Sequence, residues 1–208
     1  MRKLMVWALA MGCALQLLGT SSGFRLRTAL PQEWLQGFDG LVQDYLRMKD
    51  ALVAGNTWGA ALAGSRMVIA LPQIDDTGLT PIEMQSWAAF QNKIHTPCDQ
   101  ISGSGDIQIQ RRYFSTLSIW MYKAVEMLGA GKYTLTVQFC PMAESGKGAV
   151  WLSQQDEIQN PYFGEEMLHC GRKIAEIEGL ERAAPLAQGM LPGKLIGNHV
   201  HGCHGPGR

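Results

Sequence analysis

Cysteine and methionine recur as two close pairs in the second half of this chain, Cys140-Pro141-Met142 and Met167-Leu168-His169-Cys170. Thiolate and thioether sulfur are soft donors that favour Cu(I) over harder ions. Pro141 limits the backbone between Cys140 and Met142, so one loop can aim both sulfurs at a single point. On a helix, Met167 and Cys170 would share a face, because residues three apart are neighbours there. If the two pairs meet in space, Cys140, Met142, Met167 and Cys170 make a sulfur-rich site for a monovalent coinage metal. Zinc fits less well, since its usual ligands are Cys, His and carboxylate.

A second donor cluster closes the chain. His199, His201, Cys203 and His204 fall within six residues, and imidazole suits copper, zinc and nickel. The stretch is Gly-rich, so ordering it around an ion would cost entropy. His95 and Cys98 lie three apart, but Pro97 between them argues for loop residues, with Cys98 a candidate disulfide partner. His169 stands beside Cys170 and would point about 100° away on a helix.

The same residues have plainer uses. Methionine fills cores, and Cys140 and Cys170 could form a disulfide that pins the last element. A third reading is thiol redox chemistry, which predicts a lowered thiol pKa. Spacing alone leaves these alternatives open. Enzymatic chemistry is not expected. No Gly-x-Ser-x-Gly, P-loop or dinucleotide fingerprint is present. There is no Cys-x-x-Cys pair, and Ser115 and Ser118 have no nearby base in sequence. Arg111 and Arg112 read as surface or ion-paired groups.

The elements that must position these sulfurs follow from the apolar pattern. Pro31 can open a first helix carrying Trp34, Phe38, Leu41, Val42, Tyr45 and Leu46, with Gly55-Asn56 as its stop. Thr57 would cap a second helix with Trp58, Ala61, Leu62, Met67, Val68 and Leu71. Thr80-Pro81-Ile82-Glu83 combines an N-cap hydroxyl, Pro at the first helical position and a capping-box acid. The third helix then carries Met84, Trp87, Ala88, Gln91 and Ile94, and Pro97 should disturb it. Asp106 caps a fourth, with Ile107, Phe114, Leu117, Ser118, Met121, Val125 and Leu128 on its apolar side. Thr134 to Phe139 alternates with period two, as a short strand would. Asn160 is placed as the cap of a last short helix, Pro161 to about Glu178. The predicted fold class is mainly α: an antiparallel four-helix bundle with a long irregular connection from Gly129 to Pro161 and a short C-terminal helix.

Composition bounds the partners. The 208 residues carry 18 basic and 18 acidic side chains, so no net field favours nucleic acid or an anionic membrane. Charged residues are 17%, against about 25% in soluble domains. Part of the deficit is N-terminal. Arg2 and Lys3 precede an apolar run from Leu4 to Leu18, and Gly19-Thr20-Ser21-Ser22-Gly23 is small enough for cleavage. The run is short for a bilayer span, so residues 1–23 read as a secretory signal and the protein as exported, with a periplasmic destination. Lipid attachment at Cys13 is the lesser alternative, because Ala14, Leu15, Leu17 and Leu18 continue the apolar run beyond it. Removal of the signal leaves Cys98, Cys140, Cys170 and Cys203, for which three full pairings exist. The expected organisation is a domain over 30–178 and a tail over 179–208.

One resemblance joins these features. Cys140-Pro141-Met142-Ala143, Gly148-Ala149-Val150-Trp151-Leu152-Ser153, Ile158-Gln159-Asn160-Pro161-Tyr162-Phe163-Gly164 and Met167-Leu168-His169-Cys170-Gly171 resemble the DUF3347 family. The segments 45–54 and 111–118 are similar to its helices, so the likeness spans roughly residues 35 to 178. It implies an exported helical domain, found elsewhere appended to periplasmic adaptor subunits of copper and silver efflux pumps. It also implies Cu(I), with Ag(I) second, as the ligand of Cys140, Met142, Met167 and Cys170. This chain has no room for the hairpin and barrel of a full adaptor. The expected role is therefore copper sequestration or transfer to an efflux component or another copper-handling protein. Trp151, Tyr162 and Phe163 would shield the site.

Overall fold

The computed structural model describes residues 30–179. Four long helices come first: α1 (Gln32–Val53), α2 (Thr57–Ala70), α3 (Pro81–Ser102) and α4 (Ile107–Leu128). Three strands follow: β1 (Leu135–Cys140), β2 (Ala149–Ser153) and β3 (Arg172–Ile177). The four-helix expectation holds, and the mainly α class with it. The signal segment 1–23 and the tail donors His199, His201, Cys203 and His204 lie outside the described residues. No helix among the described residues is long and apolar enough to cross a membrane.

Local chemistry sets the helix ends. The Thr80 hydroxyl accepts from the Glu83 N–H while the Glu83 carboxylate takes the Thr80 N–H, a complete capping box, so two otherwise orphaned donors are satisfied. The Asp106 carboxylate accepts the Gln108 N–H at 2.8 Å. The cap of α2 is Asn56, whose side chain accepts the Gly59 N–H at 2.9 Å, with Thr57 the first helical residue. Gly129, at φ 102°, ends α4 in a conformation that favours glycine.

Each helix packs on the next, and short connections make neighbours antiparallel. Trp34 and Phe38 of α1 meet Trp87 of α3 edge-on, at ring separations of 5.4 and 5.9 Å. The far side is different. Helices α1 and α4 touch only narrowly, and β2 packs on α4 beside them. Tyr45 joins the three elements: its hydroxyl pairs with Ser118 Oγ at 2.8 Å and accepts the Leu152 N–H at 3.0 Å. Burial pushes its pKa above the ordinary value, which keeps the phenol protonated for both bonds.

Four sequence expectations need correction. The short C-terminal helix is absent: 161–163 is a turn, Gly164–Met167 is a single 3-10 turn, and Arg172–Ile177 is a strand. Gly164 at φ 60° breaks any right-handed helix, and the alternation of exposure along β3 suits a half-exposed strand. The irregular connection is largely a β1–β2 hairpin. Pro97 does not disturb α3, which runs through to Ser102. The buried stripe of Ile94, Cys98 and Ile101 continues on both sides of it and outweighs one lost hydrogen bond. Trp58, expected on the apolar stripe of α2, is 73% exposed, and Met84 and Ala88 of α3 also face outward.

Candidate metal centre

Strand register builds the site. The sheet order is β2-β1-β3, and both pairings are antiparallel. Phe139 of β1 pairs with Arg172 of β3, so the next residue of β1, Cys140, lies alongside the chain that enters β3 through Cys170 and Gly171. The Cys140 and Cys170 sulfurs stand 3.6 Å apart, both buried, across thirty residues of sequence. Cys98 and Cys140 are free thiols. Cys170 is disulfide-bonded, and since the other two are free, its bond does not join described cysteines. No disulfide therefore links Cys140 to Cys170.

The loop before Cys170 is held by one side chain. Asn160, fully buried, donates from Nδ2 to the Cys170 carbonyl at 2.7 Å and accepts the Tyr162 N–H on Oδ1 at 2.8 Å. Its own N–H bonds the Leu168 carbonyl at 2.8 Å, and its carbonyl receives the Gly164 N–H at 2.9 Å. These four bonds fold 160–170 into a compact loop whose exit delivers Cys170 to β1. Gly171, at φ 151°, makes that approach feasible: a Cβ there would come within 3.0 Å of both the Phe139 carbonyl and the Trp151 ring. Sequence reasoning placed Asn160 as a helix cap. The Asn-Pro dipeptide is a turn signal, and it could have pointed to this loop instead.

Aromatic groups link the sheet to the bundle. Trp151 is fully buried and meets Tyr162 edge-on at 5.8 Å, and Tyr162 lies against Phe114 of α4 at 5.9 Å. The Tyr162 hydroxyl donates to the Val150 carbonyl. Burial chiefly, then the neighbouring Tyr45, drives its pKa well up, with Glu144 and Cys140 adding to the rise and Ser118 opposing it. Half-buried Phe163 packs at the edge of the core.

The two methionines differ from the cysteines. Met142 is 48% exposed and lines a surface groove of about 360 Å³ with Arg111, Arg112, Glu144 and Tyr162. Met167 is half-buried against the core, and its carbonyl receives the Cys170 N–H at 3.0 Å. Met167 and Cys170 thus sit on one turn, though not on the helix face expected. The fold brings the two cysteines together, while Met142 is exposed and Met167 half-buried. His169 is exposed, its Nδ1 3.0 Å from the Ile158 carbonyl. His95 is exposed on α3 while Cys98 is buried, so these two do not form a pair. Among the described residues, no three His, Cys, Asp or Glu side chains are grouped to hold an ion.

Arg111 ties α4 to the end of α1. Its Nη2 donates to the Leu52 carbonyl near the end of α1 at 3.2 Å, satisfying a terminal acceptor. Desolvation lowers its pKa, and the Glu166 carboxylate opposes that shift. The adjacent chain accommodates it because Gly164 has no Cβ, which would come within 2.6 Å of Nη2.

A four-helix unit with a small antiparallel sheet, carrying a buried cysteine pair at the end of the sheet's central strand, is the class these features define. The model of the family described as "Protein of unknown function (DUF3347)" matches residues 41–132, so this helical segment is similar to that family. The match spans most of α1 through the turn after α4 and stops before β1, which carries Cys140, and the loop that carries Cys170. No curated protein and no solved structure matches the chain.

Proposed function

We propose that this domain binds Cu(I), with Ag(I) as the next candidate, and holds it or passes it to another sulfur donor. The observation that carries the reading is the 3.6 Å separation of the Cys140 and Cys170 sulfurs. Two thiolates at about 2.3 Å from one ion, at a tetrahedral angle, stand roughly 3.8 Å apart. The pair therefore needs little movement to close on a metal. Loading requires Cys170 to be reduced, and each thiol gives up its proton as the ion enters. Two thiolates supply the charge that compensates the cation. Remaining coordination falls to thioether sulfur from Met142 and Met167, which suits Cu(I) and disfavours zinc. The exposed Met142 offers the ion a first contact, and the buried cysteines a drier final one. Export belongs to the same proposal, resting on the Arg2-Lys3 start and the apolar run that follows. So does hand-over to an efflux component or another copper-handling protein. The tail donors would act as a weaker secondary site.

The test is an anaerobic Cu(I) titration of the reduced full chain against a competing chelator, with Cys140→Ser/Cys170→Ser alongside. One tightly held ion in the parent, lost in the double variant, is the expected result. Unchanged stoichiometry and affinity in the double variant would reject the site.

A second reading has one observation in its favour. The free Cys140 thiol stands 3.6 Å from the sulfur of a cysteine that is already disulfide-bonded. Attack by the Cys140 thiolate on Cys170 would form a Cys140–Cys170 bond and expel the former partner as a thiolate. Catalytic turnover with a dithiol reductant would favour this reading over metal storage.

A further inference from the structure

The outer side of α4 carries a second pattern beside its core stripe. Ile109, Tyr113, Thr116, Trp120, Lys123 and Met127 follow one another at alternating spacings of four and three residues. That is the seam spacing of a helix that packs against another helix. The core stripe of α4 is a separate set, with Phe114, Leu117, Met121 and Val125 buried. Ile109 and Met127 are exposed on the seam, as is Ile119 beside it. Tyr113, Thr116 and Trp120 also line a groove of about 410 Å³ shared with Asn92, Lys93 and Thr96 of α3. Lys93 and Lys123 hold their ammonium groups 5.4 and 4.6 Å from the centre of the Trp120 ring.

We propose that a second copy of this chain docks here, with the two α4 helices antiparallel about a two-fold axis near Ile119. Antiparallel alignment sets Trp120 beside Thr116 of the second copy, and Ile109 beside its Met127. Tyr113 then meets Lys123 of the second copy, a cation–π pair. The flanking positions decide the occupant. Arg112 and Glu126 are both exposed, and the same alignment puts Arg112 of each copy opposite Glu126 of the other. Ile119 meets its own symmetry mate. Each contact occurs twice, as a self-complementary interface requires. A generic acidic helix would satisfy Arg112 and Lys123 but would repel Glu126.

Sedimentation velocity of the full chain, under reductant so that no disulfide dimer contributes, reads the equilibrium directly. The parent should dimerise reversibly in the micromolar range. Trp120→Glu should weaken the dimer by more than about thirtyfold, as expected for a central aromatic anchor. Ile119→Glu, at a surface position that leaves the core untouched, checks that result if Trp120→Glu misfolds. Arg112→Glu and Glu126→Arg should each weaken it by about fivefold, and the two swaps together should restore it. A parent that stays monomeric through the high micromolar range would overturn the proposal. So would a dimer indifferent to both Ile119→Glu and the charge swaps.

Discussion

Two sulfur pairs in this molecule invite comparison. In the helical part, the Cys98 thiol of α3 donates to the Met67 sulfur of α2 at 3.8 Å, both fully buried. In the sheet part, Cys140 and Cys170 approach to 3.6 Å. The distances are similar and the settings are not. Cys98 and Met67 sit in the core between two helices that pack on each other, and burial drives the Cys98 pKa far up. A thiol in such a place behaves as a small hydrophobe. Cys140 and Cys170 lie where a strand end meets a loop, with an exposed methionine two residues from Cys140. Buried sulfur alone therefore does not make a site. The proposed site requires in addition a second cysteine sulfur and a donor near the surface, which Met142 would supply.

The largest break in the comparison is chemical. Cys140→Ser/Cys170→Ser should remove competitive Cu(I) binding, whereas Cys98→Ser should leave stoichiometry and affinity unchanged in the same titration. If Cys98→Ser also abolishes binding, the contrast between the two pairs is wrong. Next comes the loop that delivers Cys170. Asn160→Ala strips partners from the buried Cys170 carbonyl and the Tyr162 N–H, at a cost of about 3 kcal/mol in urea unfolding. It should also weaken Cu(I) binding, because the second sulfur loses its fixed position. A variant that unfolds like the parent would show that the loop is held by other contacts.

A smaller effect sharpens the helical side. The folded Cys98 thiol has its pKa raised above the reference value of 9.0, so the native state keeps this proton longer than the unfolded chain does. Its stabilising contribution is complete at lower pH and declines as pH rises past the unfolded value. Urea midpoints should fall between pH 8 and pH 10 for the parent, and Cys98→Ala should flatten part of that decline. An identical slope in the variant would assign the effect to other groups, Tyr45 first among them. The smallest expected change is at a helix end remote from both sulfur pairs. Thr80→Ala removes half of the capping box and should cost about 1 kcal/mol, with no change in metal titration.

Legibility in the sequence divides along the same line. The helices were readable because each is set by neighbours in sequence: the Thr80-Pro81-Glu83 box, the Asp106 cap, the Gly129 stop, and apolar stripes such as Phe114, Leu117, Met121 and Val125. Where reading failed within them, tertiary packing had overridden a local rule, as at Pro97 inside α3 and at exposed Trp58 on α2. The region after β1 was harder. Asn160 and Pro161 open a helix and a turn equally well by local preference. The six residues of β3 have no meaning as a strand until β1 is beside them, because their hydrogen bonds are made to residues over thirty positions away.

The sequence by itself determined the four helices, the caps at Thr80 and Asp106, and the donor types of the candidate site. Those features depend on side chain and backbone chemistry within a few residues. Only the tertiary structure decided that Cys140 faces Cys170 at 3.6 Å while Cys98 faces Met67, and that Met142 lies outside with Met167 half-covered. The physical reason is register. Pairing Phe139 with Arg172 brings Cys140 beside Cys170, and a slip of one residue would turn the strand's side chains to the other face. That register is held by buried side chains from both halves of the molecule, among them Asn160, Trp151, Tyr162 and Tyr45.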